Sequence, residues 1–252
     1  MKICVIGAGY VGLVTGACFA EIGHSVICVD NDKQKIETLN AGRMPIFEPH
    51  LEGLVQSNWK KERLSFSSDT CDSIRQSEVI FICVGTPPLE NGEADLFAVE
   101  KVTREVAAAS DRYKLVVEKS TVPVQTGEYI LRTLQMYCRE QNGHFDVASN
   151  PEFLREGTAV HDFFHPDRIV IGVDSPKAEE RLRQIYRPIL EKKFHCPVHS
   201  QCPSSSAPFL LVTDVKSAEL IKHASNSFLA LKISYINAIS VLCRLSNLLA
   251  PG

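Results

Sequence analysis

The run Gly7-Ala8-Gly9-Tyr10-Val11-Gly12 is entered from an apolar stretch over residues 3–6. A helix-like pattern follows to Gly23, and a second apolar stretch ends on Asp30. This is the fingerprint of a dinucleotide-binding βαβ unit. Gly7 permits the tight turn, Gly9 lets backbone N–H groups approach a pyrophosphate, and Gly12 is expected to let the helix pack closely on the strand. Asp30 stands where an acceptor takes the 2′-hydroxyl of an adenosine ribose, and its charge repels a 2′-phosphate, so NAD is favoured over NADP. The same N-terminus, Lys2 followed by apolar residues ending Ala17-Cys18-Phe19-Ala20, has features of a secretory signal peptide. Glycines interrupt its apolar stretch, and the strand-loop-helix-strand-Asp order runs on past it.

Further groups have types and spacings that could do chemistry. Lys222 and Asn226 are i, i+4 and share a helix face, where an ammonium and an amide could address a substrate oxygen; a solvated helix surface explains them equally simply. Glu152 and Glu156 flank Phe153-Leu154-Arg155 after a strand and could serve as base and substrate clamp, although exposed carboxylates are common. His161, Asp162 and His165 read as charged loop residues. His195-Cys196-Pro197-Val198-His199-Ser200-Gln201-Cys202 has metal-ligand residue types but no second half, so no metal is expected.

The chain has 252 residues, 44% hydrophobic and 23% charged, enough for one large domain or a large domain with a small appendage. A net charge of −3 offers no general attraction to nucleic acid or anionic membrane. No stretch beyond the N-terminus approaches the ~18 uncharged apolar residues of a membrane span, so a soluble, cytoplasmic protein is expected. Of nine cysteines, Cys4, Cys28 and Cys83 lie in apolar strand-like runs and read as reduced, buried residues.

These groups need elements to hold them. Pattern and turn chemistry predict helices over 33–40, 51–58, 100–109, 126–139 and 178–190, and strands over 64–66, 79–84, 115–118, 145–148 and 168–172. Alternating strands and helices imply an α/β fold: a Rossmann-type, doubly wound parallel sheet, here followed by a long C-terminal helix. The turns Val84-Gly85-Thr86-Pro87-Pro88 and Ser120-Thr121-Val122-Pro123 and the loop 150–156 all follow strands, so they can face one crevice with the glycine loop. The expected organisation is a dinucleotide-binding domain over 1–203, a Ser/Pro-rich linker over 204–212, and a helical segment over 213–252. Asp214 and Ser217 would cap its helix, which should run through Leu248 with Ala218, Ile221, Leu229, Ile233, Ile236 and Ile239 on an apolar face.

Together these turns, with Asn150-Pro151-Glu152-Phe153-Leu154-Arg155-Glu156-Gly157, Pro166-Asp167-Arg168 and the stretch 219–226, resemble the UDP-glucose/GDP-mannose dehydrogenase family from residue 1 to about 243. The resemblance implies NAD-dependent oxidation of the C6 alcohol of a nucleotide sugar to a carboxylate by two hydride transfers. UDP-glucose is the implied substrate and GDP-mannose the alternative. Implied cofactor contacts are Gly7, Ala8, Gly9, Tyr10, Val11, Gly12, Asp30, Lys35, Val84, Gly85, Thr86, Pro87, Pro88, Ser120, Thr121, Val122 and Glu156. Implied substrate contacts are Glu152, Phe153, Leu154, Arg155, Glu156, Lys222 and Asn226. In the implied mechanism Glu152 is general acid/base through water near Thr121, and Lys222 and Asn226 stabilise oxyanionic character at C6. A homodimer through the C-terminal helix is also implied.

The family's cysteine nucleophile lies in a Gly-Gly-x-Cys-Phe-Pro-Lys-Asp segment that does not occur in these residues, and the tail from Arg244 departs from the family's pattern. A truncated dehydrogenase is therefore expected, with a non-catalytic NAD-binding fragment as the rival. A hydroxyacid dehydrogenase, which also places Lys and Asn one helical turn apart, would not be expected to carry the 150–157 segment.

Overall fold

The computed structural model describes residues 1–138, 144–200, 202 and 207–245. Chain order is β1 (Lys2–Ile6), α1 (Tyr10–Glu21), β2 (Ser25–Val29), α2 (Lys33–Asn40), α3 (Leu51–Lys60), β3 (Leu64–Ser67), α4 (Thr70–Gln76), β4 (Val79–Ile82), α5 (Phe97–Ala109), β5 (Lys114–Glu118), α6 (Thr126–Tyr137), β6 (Phe145–Ser149), α7 (Ala159–Phe164), β7 (Arg168–Val173), α8 (Pro176–Leu190), β8 (Phe209–Thr213) and α9 (Val215–Leu245). The strands form one sheet, ordered β3-β2-β1-β4-β5-β6-β7-β8. Its first six strands are parallel; β7 runs antiparallel to β6, and β8 parallels β7.

Period-two alternation divides the core between the two faces of this sheet. Ile3 and Val5 of β1 join Phe19, Phe81 and Tyr186 on one side, while Cys4 and Ile6 join Ile80, Ile82, Val99 and Ile130 on the other. Phe19 is central to the first face, 4.9 Å from the Phe81 ring centroid and 5.5 Å from that of Tyr186. Cys4, Cys28 and Cys83 are buried free thiols, and burial pushes Cys83 up to about 12.

Two features differ from the sequence expectation. The sheet does not end before residue 204: Phe209–Thr213 pairs along its whole length with Arg168–Gly172 of β7, so residues 209–212 are strand and not linker. Of the rest of the expected linker, residues 207–208 lead into the strand and residues 204–206 lie outside the described residues, as do Arg139, Leu248 and the tail from 246. His161 and Asp162 belong to the short helix α7. As expected, Gly12 lets α1 pack closely, since an added Cβ there would meet the Gly7 carbonyl at 1.8 Å and Cys83 Cβ, just after β4, at 3.1 Å; Gly16 does the same one turn on, where an added Cβ would lie 2.3 Å from Cys28 Sγ.

Local chemistry sets the helix starts. Asp32, Asp69 and Ser175 accept backbone N–H bonds at the starts of α2, α4 and α8, and Asp214 accepts from the Ser217 backbone and hydroxyl at the start of α9. α1 differs: its N-cap is Gly9, which has no side chain to supply a cap bond.

Glycine substitutions should separate folding from binding. Gly16→Ala forces its Cβ into Cys28 and is expected to lower stability by about 1–3 kcal/mol. Gly9→Ala meets nothing within 4 Å and should leave the urea midpoint nearly unchanged, yet abolish dinucleotide binding. Equilibrium unfolding and calorimetric titration of both variants check this.

Candidate active site

The loops after β1, β2, β4, β5 and β6 lie at the carboxyl edge of the sheet, where open α/β folds bind ligands. Gly7 turns the chain with φ +103, a conformation that favours glycine, and a Cβ there would lie 2.6 Å from the Cys83 carbonyl. Beyond it the uncapped N-terminus of α1 presents free N–H groups beside the open space at Gly9, an arrangement that suits a pyrophosphate.

Asp30 is buried at the end of β2. Its Oδ2 accepts from the Ala8 backbone N–H at 2.8 Å and from Lys35 Nζ at 2.8 Å, and its Oδ1 accepts from the Asp32 N–H at 3.0 Å. Burial pushes the carboxyl up, but these hydrogen bonds outweigh it and hold Asp30 below its ordinary range. An anion that keeps acceptor capacity beside the glycine loop fits a ribose diol and disfavours a 2′-phosphate.

The turns after β4 and β5 are tied together. Thr86 Oγ1 donates to the Thr121 carbonyl at 2.7 Å, and Ser120 Oγ donates to the Val84 carbonyl at 2.7 Å. Gly85, Pro87 and Pro88 are exposed along the first turn. Val122 is buried and its carbonyl accepts from His223 Nε2 at 2.5 Å, which anchors α9 to this wall.

A cavity of about 460 Å³ lies between the loop after β6, the segment around α7 and the first turns of α9. Glu152, Phe153, Leu154, Arg155, Lys222 and Asn226 all line it. Lys222, almost fully buried, places Nζ 2.9 Å from Glu152 Oε1 and also donates to the Glu152 carbonyl. Glu152 Oε2 accepts from the Leu154 N–H at 2.7 Å, so each carboxylate oxygen has a fixed partner. The Phe153 ring lies between two cations, 4.6 Å from the Arg168 guanidinium carbon and 5.4 Å from Lys222 Nζ. Arg155 is held by Asp162 of α7, through Nε at 3.0 Å and Nη2 at 2.6 Å. Thr121 and Glu156 do not line this cavity. Glu156 is exposed beside Gly157, whose N–H donates to Tyr10 Oη at 3.2 Å, so it lies towards the glycine loop.

Several residues were not singled out from the sequence. Lys119 is a second buried ammonium in the cavity, donating to Asn150 Oδ1 at 3.1 Å; burial pulls it below the ordinary lysine range. Asn150 is fixed in turn by Tyr186 Oη at 2.5 Å and the Val170 carbonyl at 2.8 Å. Buried Glu48 accepts from Tyr10 Oη and from the Gly157 and Ala159 N–H groups, both at 2.8 Å, and so clamps the start of α7. Buried Glu219 accepts from the Gln125 and Gly127 N–H groups at 2.7 Å, clamping the start of α6 from α9. Glu48 and Glu219 are carboxylates whose partners are remote in sequence, so spacing alone carries no signal of their roles. For Lys119 the one legible hint is its place directly after the strand-like run 115–118.

The profile of the NAD-binding domain of one dehydrogenase family matches residues 1–190, and that of its central domain matches residues 216–248. The chain belongs to the UDP-glucose/GDP-mannose dehydrogenase family. It is 48% identical over 248 residues to a UDP-glucose 6-dehydrogenase of Rhizobium meliloti (strain 1021), an alignment covering 96% of this chain and 53% of that protein. Among solved structures it is similar to a UDP-glucose dehydrogenase from Pyrobaculum islandicum (TM-score 0.87, 41% identity, covering 97% of this chain and 53% of that one). It is also similar to a ternary complex of GDP-mannose dehydrogenase from Pseudomonas aeruginosa (TM-score 0.83, 34% identity, covering 94% and 52%). The chain thus spans about half the length of the relatives it matches. Its family's cofactor is NAD, and the uncapped α1 terminus and anionic Asp30 fit that group.

Glu48→Gln should report on the clamp. The amide retains one acceptor oxygen where the carboxylate offers two, stranding at least one buried donor at a cost of about 1–3 kcal/mol. A fall of that size in unfolding free energy, together with weaker NAD binding, is the expected outcome in chemical denaturation and calorimetry.

Proposed function

We propose that the protein carrying this chain oxidises the C6 alcohol of UDP-glucose to the carboxylate in two hydride transfers. The observation that carries this reading is the nearly buried Lys222–Glu152 pair in the cavity between the loop after β6 and the first turns of α9. Bound NAD supplies the hydride acceptor. Glu152 is the general acid/base for the C6 hydroxyl, acting through water near Thr121. The Lys222 ammonium and the Asn226 amide stabilise charge as an alkoxide develops, an interaction stronger in the transition state than with the neutral alcohol. Arg155, Phe153 and Leu154 shape the sugar subsite; Thr86, Ser120, Val122 and Glu156 face the cofactor with Tyr10 and Val11. UDP-glucose is favoured over GDP-mannose because the relatives named for UDP-glucose are 41–48% identical and the GDP-mannose enzyme 34%.

We further propose a cytoplasmic protein of nucleotide-sugar and polysaccharide metabolism, without nucleic-acid or membrane partners, that pairs with a second copy through α9. By length and composition α9 could cross a membrane, contrary to the expectation that no such stretch exists. Its first turns, however, are locked into the polar crevice by Glu219, Lys222 and His223. The exposed Phe228, Leu231, Tyr235, Ile236 and Leu242 then form a surface for a partner helix. Light scattering should give a dimer mass; a monomer at high concentration, or recovery only in detergent-extracted membranes, would refute this.

The chain should bind NAD in preference to NADP, and Asp30→Asn should reduce that preference about tenfold, the scale of one charge-assisted hydrogen bond. Because the Asp30 pKa is depressed, its stabilising ties are present above the unfolded pKa. They are lost only as pH falls through the lower folded value, so the contribution of Asp30 to NAD affinity should stay level from pH 8 to pH 5. Equal NADP affinity would overturn the assignment of Asp30. In the enzyme carrying this chain, Lys222→Met should lower kcat about 10²–10³-fold with UDP-glucose while leaving NAD affinity intact. Unchanged turnover, or turnover only with GDP-mannose, would refute the proposed roles or substrate.

A further inference from the structure

The segment joining α8 to β8 spans residues 191–208, long for a connection within an α/β domain, and its Cys-x-x-His-x-x-Cys run has no place in the chemistry above. The fold supplies what the local sequence lacks. His165, at the C-terminal end of α7, faces this run from 31 residues earlier. Its Nε2 lies 3.1 Å from Cys196 Sγ and 3.7 Å from Cys202 Sγ, and Cys196 Sγ lies 3.5 Å from His199 Nδ1. One ligand atom from each of the four side chains falls within 4.8 Å of all the others. The group lines a cavity of about 270 Å³.

We propose that His165, Cys196, His199 and Cys202 form a structural zinc site. Zn–S bonds of about 2.3 Å and Zn–N bonds of about 2.0–2.1 Å at tetrahedral angles put neighbouring S and N atoms about 3.6 Å apart. The observed separations bracket that edge, so binding needs only small side-chain shifts. The donor set of two thiols and two imidazoles suits Zn²⁺ better than magnesium or calcium, which require oxygen ligands. Binding forms two Zn–S and two Zn–N bonds, and the two thiol protons go to solvent; no oxidant or reductant is involved. Two thiolates cancel the charge of the ion, leaving a neutral centre in a partly buried place. The His199 N–H already points at Cys196 Sγ, 3.4 Å away, as an outer donor to a metal-bound thiolate would.

The consequence is mechanical. His165 lines the large cavity as well as the small one, so the metal staples Cys196, His199 and Cys202 to the rim of the sugar pocket. The inference does not depend on the identity of the sugar or on turnover.

The test is metal analysis of the whole chain, purified without a metal-affinity tag. The expected result is one zinc per chain by mass spectrometry of the metal, and an intense tetrahedral d–d spectrum with sulfur-to-metal charge transfer after exchange for Co²⁺. Cys196→Ser, Cys202→Ser and His165→Ala should each weaken zinc binding by more than the ~10–100-fold typical of losing an outer partner. Cys71→Ser, at an exposed cysteine elsewhere, should not. The Co²⁺ spectrum of the unmodified chain decides the matter even if a variant fails to fold. No zinc after addition of an equivalent, an octahedral cobalt spectrum, unchanged zinc affinity in folded ligand variants, or a Cys196–Cys202 disulfide in the native chain would overturn it.

Discussion

Backbone N–H groups left over where strands and helices begin or end must find acceptors, and around this crevice three buried carboxylates provide them from a distance. Asp30 takes the Ala8 N–H of the glycine loop, Glu48 those of Gly157 and Ala159, and Glu219 those of Gln125 and Gly127. Burying an anion is costly unless several donors converge on it. Each carboxylate therefore specifies one arrangement of two segments, and the crevice walls are set relative to one another by these contacts. The N-terminus of α1 receives no such acceptor at its Gly9 N-cap, which keeps its donors for a ligand.

Sheet topology explains why those segments meet. With β1 central and crossovers leading outward on both sides, the carboxyl ends of β1, β2, β4, β5 and β6 open on one edge. The reversal at β7 brings α9 back over this edge: Gly172 admits Ala218 so closely that an added Cβ would stand 2.5 Å from the Ala218 Cβ. That contact seats Glu219, Lys222 and His223 at the crevice in consecutive turns of one helix. The β7–β8 pair thus belongs to the site's support as much as to the sheet.

Much of this was legible in the chain. The period-two and period-3.6 patterns placed most elements to within a few residues, since both sheet faces are covered and buried strands read as continuous apolar runs. The glycine loop and Asp30 were legible because their spacing is a local property of one βαβ unit. What failed to show was non-local. β8 follows a Ser/Pro-rich stretch and is only half-buried, so its pattern is weak. α7 has six residues, too few for a periodic signal. Glu48, Glu219 and Lys119 act through partners tens of residues away, and the Cys/His run lacked an evident second half because His165 is contributed by another element. Helical spacing showed that Lys222 and Asn226 share a face, but not which surface that face would meet.

The crevice also concentrates charge that its environment does not favour. Lys119 and Lys222 are both nearly buried within one cavity, with Glu152 bonded to the second. Beneath them Glu118, at the end of β5, is pushed far above the ordinary carboxyl range by burial; one of its oxygens has no partner among the described residues. A fold selected for stability alone would gain from replacing such a pair with apolar side chains of equal volume. The arrangement makes sense if the charges act on something that enters: a hydroxyl losing its proton offers Lys222 an anion to stabilise and Glu152 a proton to accept, and exclusion of water strengthens both interactions.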